Sequence, residues 1–166
     1  MWSGSGWHTM MSLPCEVLTC LAGKTLATAE SCTGGLIGAM VTAVPGSSAV
    51  YKGGVVSYCN EIKHRLLGVP EALLERYGAV SAPVAEAMAA GAARALGTDV
   101  AVSVTGLAGP GRDEFGNPVG RVYIGYWDAD GAACREFTFQ GDREAVRQQA
   151  AEAALRFILE KQKKLR

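Results

Sequence analysis

The chain has 166 residues with 16 basic and 16 acidic side chains, so no net field draws it toward nucleic acid or an anionic membrane. A hydrophobic content of 49% over this length suits one globular domain that buries roughly 70% of the surface its unfolded form exposes. The five cysteines (Cys15, Cys20, Cys32, Cys59, Cys134) are odd in number and lack paired zinc-ligand spacing, and no apolar run is long enough to span a membrane. A cytoplasmic domain with free thiols and no metal is expected.

Residues 1–13 mix Gly, Ser, Trp and Met without periodicity and lack the charged start and apolar stretch of a secretory signal, so they read as a flexible extension. Residues 14–166 read as a single domain. Cys15–Leu21 suggests the stub of a first helix. Thr25–Ala29 is the first strand, followed by Ser31-Cys32-Thr33-Gly34-Gly35 and a helix over Gly35–Val44 with Leu36, Met40 and Val44 on one face. Pro45-Gly46 stops that helix, and Ser47-Ser48 fall in a polar loop. Tyr51–Tyr58 reads as a strand weakened by Gly53-Gly54, and Asn60 as the N-cap of a short helix Glu61–Leu67.

Pro70 opens a helix Glu71–Tyr77, and Ser81 caps an Ala-rich helix, Pro83–Leu96, whose small side chains favour close packing. Val100–Val104 is a continuous apolar run, as in a strand covered on both faces. A loop rich in Gly and Pro, Thr105–Pro118, leads to Val119–Trp127 and Ala133–Phe139, which alternate about Asp128-Ala129-Asp130-Gly131 as an antiparallel hairpin. Asp142 caps the last helix, Arg143–Lys161. The alternation predicts an α/β fold: a three-layer α/β/α sandwich with a mixed, mostly parallel sheet and a C-terminal antiparallel hairpin.

Three polar clusters interrupt the apolar pattern. In the first, Ser31, Cys32 and Thr33 precede Gly34 and Gly35 at the carboxyl end of a strand, where open α/β sheets bind ligands. One hydroxyl would suffice to cap the helix, so the redundancy points to chemistry. Ser31 can attack a carbonyl while the N–H groups of Thr33, Gly34 or Gly35 receive an oxyanion or a phosphate, with Cys32 as a rival nucleophile.

In the second cluster, Tyr58 ends a strand and Asn60 and Lys63 begin a helix, so all three can converge on one spot. A serine needs a base, and the two histidines are badly placed: His8 lies in the extension and His64 projects about 100° around the helix from Lys63. Lys63 is the better base, with Tyr58 as proton relay. Lowering its pKa by about three units costs on the order of 4 kcal/mol, which requires a buried site. The third cluster, Thr105-Gly106-Leu107-Ala108-Gly109-Pro110-Gly111, follows the most apolar strand as a ligand cradle that is neither a Walker loop nor a dinucleotide fingerprint. Arg112-Asp113-Glu114 reads as solvated surface.

AESCTGG, VVSYCNEIK, AVSVTGLAGP, NPVGRVYIG and FQGDREAVRQQAA, in this order and spacing, resemble the carboxy-terminal domain of the CinA competence/damage-inducible family. The resemblance runs from about Thr25 to Leu159. It implies hydrolysis of nicotinamide mononucleotide to nicotinic acid mononucleotide and ammonia, in pyridine nucleotide salvage, by a Ser, Tyr and Lys set that falls on Ser31, Tyr58 and Lys63. It also suggests a stand-alone form without the family's additional amino-terminal domain. The implied substrate is a small-molecule nucleotide, its phosphate expected on backbone N–H groups near Ser47-Ser48, on Thr105-Gly106 or on Arg143; no cofactor is needed, and a homo-oligomer is expected. Two rivals stand beside this reading: a non-catalytic nucleotide-binding module, and an amidase using Cys32.

Overall fold

Short apolar runs that alternate with amphipathic ones assemble into a sheet covered on both faces. The computed structural model describes residues 11–163; most of the extension, with His8, lies outside them. The elements are α1 (Leu13–Cys20), β1 (Leu26–Glu30), α2 (Leu36–Thr42), β2 (Tyr51–Val56), α3 (Asn60–Leu67), α4 (Glu71–Tyr77), α5 (Ala82–Leu96), β3 (Val100–Gly106), β4 (Arg121–Asp128), β5 (Gly131–Thr138) and α6 (Arg143–Lys163). The sheet order is β2-β1-β3-β4-β5. β1 runs parallel to both β2 and β3, whereas β4 is antiparallel to β3 and to β5, so four of the five strands share one direction.

Period-2 alternation divides the core between the two faces. Val100, Val102 and Val104 of β3 join Val122, Ile124 and Tyr126 of β4 beneath α1, α2 and α6. Ala27, Ala29 and Ala101 face Leu67, Val84, Met88 and Ala92 on the other side. There the layer is thin because the contacts are small: a Cβ on Gly125 would stand 2.2 Å from the Ala85 carbonyl, and one on Gly91 would stand 1.8 Å from that of Leu67. The Ala-rich composition of α5 thus reflects direct backbone approach to the sheet and to α3.

Several helix starts differ from their sequence signals. Asn60 is the first residue of α3 rather than its cap, and Cys59 occupies the cap position without a side-chain bond. Ser81 does precede α5, but its hydroxyl donates to the Gly78 carbonyl at 2.8 Å. Ser47–Ala49 forms one 3-10 turn in place of an irregular loop. Asp142 caps α6 as expected, accepting from Ala145 N–H at 2.9 Å. Among the described residues no helix is long and apolar enough to cross a membrane.

Register positions the site. Glu30 is level with Val56 on one side and Val104 on the other, so Ser31, Ser57 and Thr105, one residue further on, stand side by side at the carboxyl edge. Because β2 and β3 flank β1 on opposite sides, this edge holds the topological switch point at which open α/β sheets form their crevice.

Candidate functional site

A cleft of about 540 Å³ opens at that edge, lined by residues of all three strand ends, of α3 and of the loop after β3. This volume lies in the range of small-molecule sites. Ser31, Cys32, Tyr58, Asn60, Lys63, Thr105, Gly106, Gly109 and Arg143 line it, which brings together most of the residues read from the sequence.

Lys63 lies on the first turn of α3 and points inward, where it is 1% exposed. Its Nζ donates to Ser31 Oγ at 3.0 Å and to the Ser57 carbonyl at 2.7 Å. Burial disfavours the ammonium and pushes its pKa down to about 8, partly opposed by the nearby Cys59 and Cys32 thiols. A measurable fraction of the amine is therefore neutral near physiological pH, as a general base requires. Ser31 is 8% exposed and is fixed through its backbone N–H, which donates to the Val104 carbonyl at 3.0 Å.

Cys32 sits beside it but in a different environment. Burial raises the thiol to about 11, against the pull of its own backbone N–H, Lys63, Arg147 and Arg143. At neutral pH this sulfur stays protonated, whereas the neighbouring Ser31 hydroxyl is in contact with the amine of Lys63.

The helix start after β1 is closed to an external anion, and the residues of its turn expected as donors lie outside the cleft. Glu30, 2% exposed, turns its carboxylate onto the N-terminus of α2, accepting from Ile37 N–H at 2.9 Å and Gly38 N–H at 3.1 Å. Gly34 N–H donates to the Ser31 carbonyl and Leu36 N–H to that of Thr33. Thr33 is fully buried, and neither it nor Gly34 nor Gly35 lines the cleft. A carboxylate supplied by the protein has already taken the place an external anion would occupy.

Donors lie instead on the loop after β3. Ala108 and Gly109 line the cleft, and among the described residues their backbone N–H groups donate to no acceptor. Thr105 Oγ1 is committed to the Ala79 carbonyl at 2.8 Å, which ties β3 to the connection between α4 and α5. Ser47 and Ser48 precede β2 and therefore lie at the opposite edge of the sheet, a strand length of about 20 Å away. They take no part in the cleft.

Tyr58 is 63% exposed on the rim, and its hydroxyl accepts from Arg143 Nη2 at 3.0 Å. The relay from Tyr58 to Lys63 is not formed, since Lys63 reaches Ser31 directly. Arg143 also donates to the Gly109 carbonyl at 2.8 Å, so it joins the loop after β2 to the loop after β3. Arg147 donates to the carbonyls of Cys32 and Thr33, both at 3.0 Å, and holds the nucleophile turn against α6. His64 faces away, with Nδ1 at 2.8 Å from the Val69 carbonyl.

Sequence reasoning missed Glu30, the Ser57 carbonyl and the Ala108 amide. Glu30 left a signal, an acid closing an otherwise apolar strand before a helix start; a backbone acceptor or donor leaves none. Among the described residues no group of three or more His, Cys, Asp or Glu is arranged to hold a metal ion.

Residues 13–162 match the model of the CinA C-terminal domain. A CinA-like protein of Geobacter sulfurreducens is 52% identical over 136 residues, covering 82% of this chain and 33% of that protein. One from Parasynechococcus marenigrum is 52% identical over 141 residues, covering 82% and 34%. The chain thus spans about a third of the length of the curated relatives it matches. The crystal structure of a competence-damaged protein (CinA) superfamily protein from Klebsiella pneumoniae superposes with a TM-score of 0.88 at 35% identity, covering 90% of this chain and 95% of that one. The competence/damage inducible protein CihA of Agrobacterium tumefaciens gives 0.85 at 37% identity, covering 89% and 92%. On these matches the chain belongs to the CinA C-terminal domain family.

Proposed function

We propose that this domain is a serine amidase that hydrolyses the carboxamide of nicotinamide mononucleotide to nicotinic acid mononucleotide and ammonia. The observation that carries the reading is the buried 3.0 Å contact between Lys63 Nζ and Ser31 Oγ. Burying a lysine is costly and lowers its basicity toward that of a general base, and here its partner is a hydroxyl in a ligand-sized cleft.

Neutral Lys63 takes the Ser31 proton as Oγ attacks the carboxamide carbon. The oxyanion is received by the N–H groups of Ala108 and Gly109. The Lys63 ammonium returns its proton to the departing nitrogen, which leaves as ammonia and breaks the C–N bond, leaving an ester on Ser31. Water, deprotonated by Lys63, then attacks that ester; the ammonium reprotonates Ser31 Oγ and the acid is released. The Ser57 carbonyl holds Nζ in place through both steps.

The test is ammonia release from nicotinamide mononucleotide by the wild type, Ser31→Ala, Lys63→Ala and Cys32→Ala. Loss in the serine and lysine variants with turnover kept in Cys32→Ala is expected. Loss confined to Cys32→Ala, or no turnover by the wild type, contradicts the reading.

A further inference from the structure

The cleft must hold the nucleotide's phosphate, and the geometry points to Arg112 as the residue that does so; this inference rests on the amidase reading above. Of the three positions expected to bind phosphate from the sequence, one is distant, one is bonded elsewhere, and the third, Arg143, is partly engaged and can only supplement Arg112. Ser47-Ser48 lie at the far edge of the sheet, Thr105 Oγ1 is bonded to the Ala79 carbonyl, and Arg143 joins Tyr58 to the Gly109 carbonyl. Lys63 is bonded to Ser31 and Ser57.

Arg112 lines the same cleft as Ser31 and is exposed, and among the described residues its guanidinium makes no hydrogen bond or ion pair. Its sequence neighbour Asp113 forms no ion pair with it and directs its carboxylate into the turn. Oδ1 accepts from Phe115 N–H and Asn117 N–H, both at 3.1 Å, and Oδ2 accepts from Asn117 Nδ2 at 2.6 Å. Asn117 Nδ2 also donates to the Val80 carbonyl at 3.2 Å, which pins the loop to the facing wall. Arg112 is therefore an unpaired cation on a braced turn.

Asp113 and Glu114 are the opposing charges on this rim; Asp113 is turned into its own loop, and Glu114 also borders a neighbouring depression together with Asn60 and Phe115. A planar guanidinium matches a phosphate bidentately, and the ligand would be a phosphorylated pyridine riboside whose amide end reaches Ser31.

Equilibrium binding of nicotinamide mononucleotide and of nicotinamide riboside to Ser31→Ala protein, with and without Arg112→Ala, tests this. The nucleotide should bind more tightly than the riboside, and Arg112→Ala should shrink that preference by roughly tenfold, with Arg112→Lys in between. A preference unchanged by Arg112→Ala, or no binding of either compound, overturns the assignment. Phosphate-dependent binding lost in Arg112→Ala, in a protein whose wild type releases no ammonia, would uphold the assignment while refuting the amidase reading.

Discussion

Two glycine-rich turns face each other across the crevice, and they do different work. The turn after β1, Ser31–Gly35, carries the proposed nucleophile and leads into a helix, yet the α2 N-terminus is closed by Glu30 and its glycines lie outside the cleft. The loop after β3 leads into no helix, yet it lines the cleft and keeps unengaged N–H groups at Ala108 and Gly109. A strand–turn–helix signature shows where a nucleophile stands. It does not show where the anion goes, because the partial positive charge of a helix start can be consumed internally.

The division of labour is most easily broken at the nucleophile side. Ser31→Ala and Lys63→Met should each lower turnover by roughly 10³-fold or more, and the double variant should be little worse than either single one, since the two act as a unit. Additive losses in a double-variant cycle would show that they act independently.

Lys63 should also leave a signature in stability. Its folded value is about 8 against an ordinary 10.5, so below pH 8 it is charged in both states and its burial is costly. Between these values the folded protein has lost a proton that the unfolded chain retains, and stability rises with pH. Relative to Lys63→Met, the wild type should gain about 3 kcal/mol across that window in denaturant titrations. A flat difference would mean that the lysine is not desolvated. Turnover should rise in parallel as pH passes through about 8.

The glycines sharpen the contrast between the turns. Gly109 has φ +95°, and a Cβ there would stand 2.6 Å from Val119 Cγ1; Gly34 has φ +60°, with its nearest neighbour, Arg147 Nη2, at an ordinary 3.6 Å. Gly109→Ala should cost about a hundredfold in turnover by displacing the donor loop, and Gly34→Ala less than about threefold. Equal losses would return the oxyanion to the first turn. Glu30→Gln should be the smallest perturbation of turnover but a measurable one of stability, about 2 kcal/mol, because one N–H at the start of α2 then faces an amide NH₂. An unchanged melting curve would refute that role.

The elements themselves were legible, because apolar alternation, Gly-Pro stops and the Asp142 cap are local signals that tertiary packing reinforced. So was the gathering of Ser31, Lys63 and Thr105 at one edge, which follows from their places after strands or on the helix beyond. Ser47 and Ser48 were misjudged because a polar loop looks alike at either end of a strand. Asn60 and Ser81 were misjudged as side-chain caps because helix starts here are set by packing. Of the two routes expected from Lys63 to Ser31, direct or through Tyr58, the structure forms the direct contact: α3 carries Lys63 inward to Ser31, while Tyr58 stands on the rim bonded to Arg143. The donors at Ala108 and Gly109 are backbone groups, invisible to any reading of side-chain types.

The central claim, a covalent step on Ser31 activated by Lys63, is tested most directly by trapping the acyl-enzyme. Protein quenched in acid during turnover of nicotinamide mononucleotide and digested should carry the acyl mass on the peptide containing Ser31 and Cys32. The adduct should persist in Cys32→Ala and vanish in Ser31→Ala. An adduct that survives Ser31→Ala and disappears with Cys32, or full turnover by Ser31→Ala with no adduct, would contradict the account.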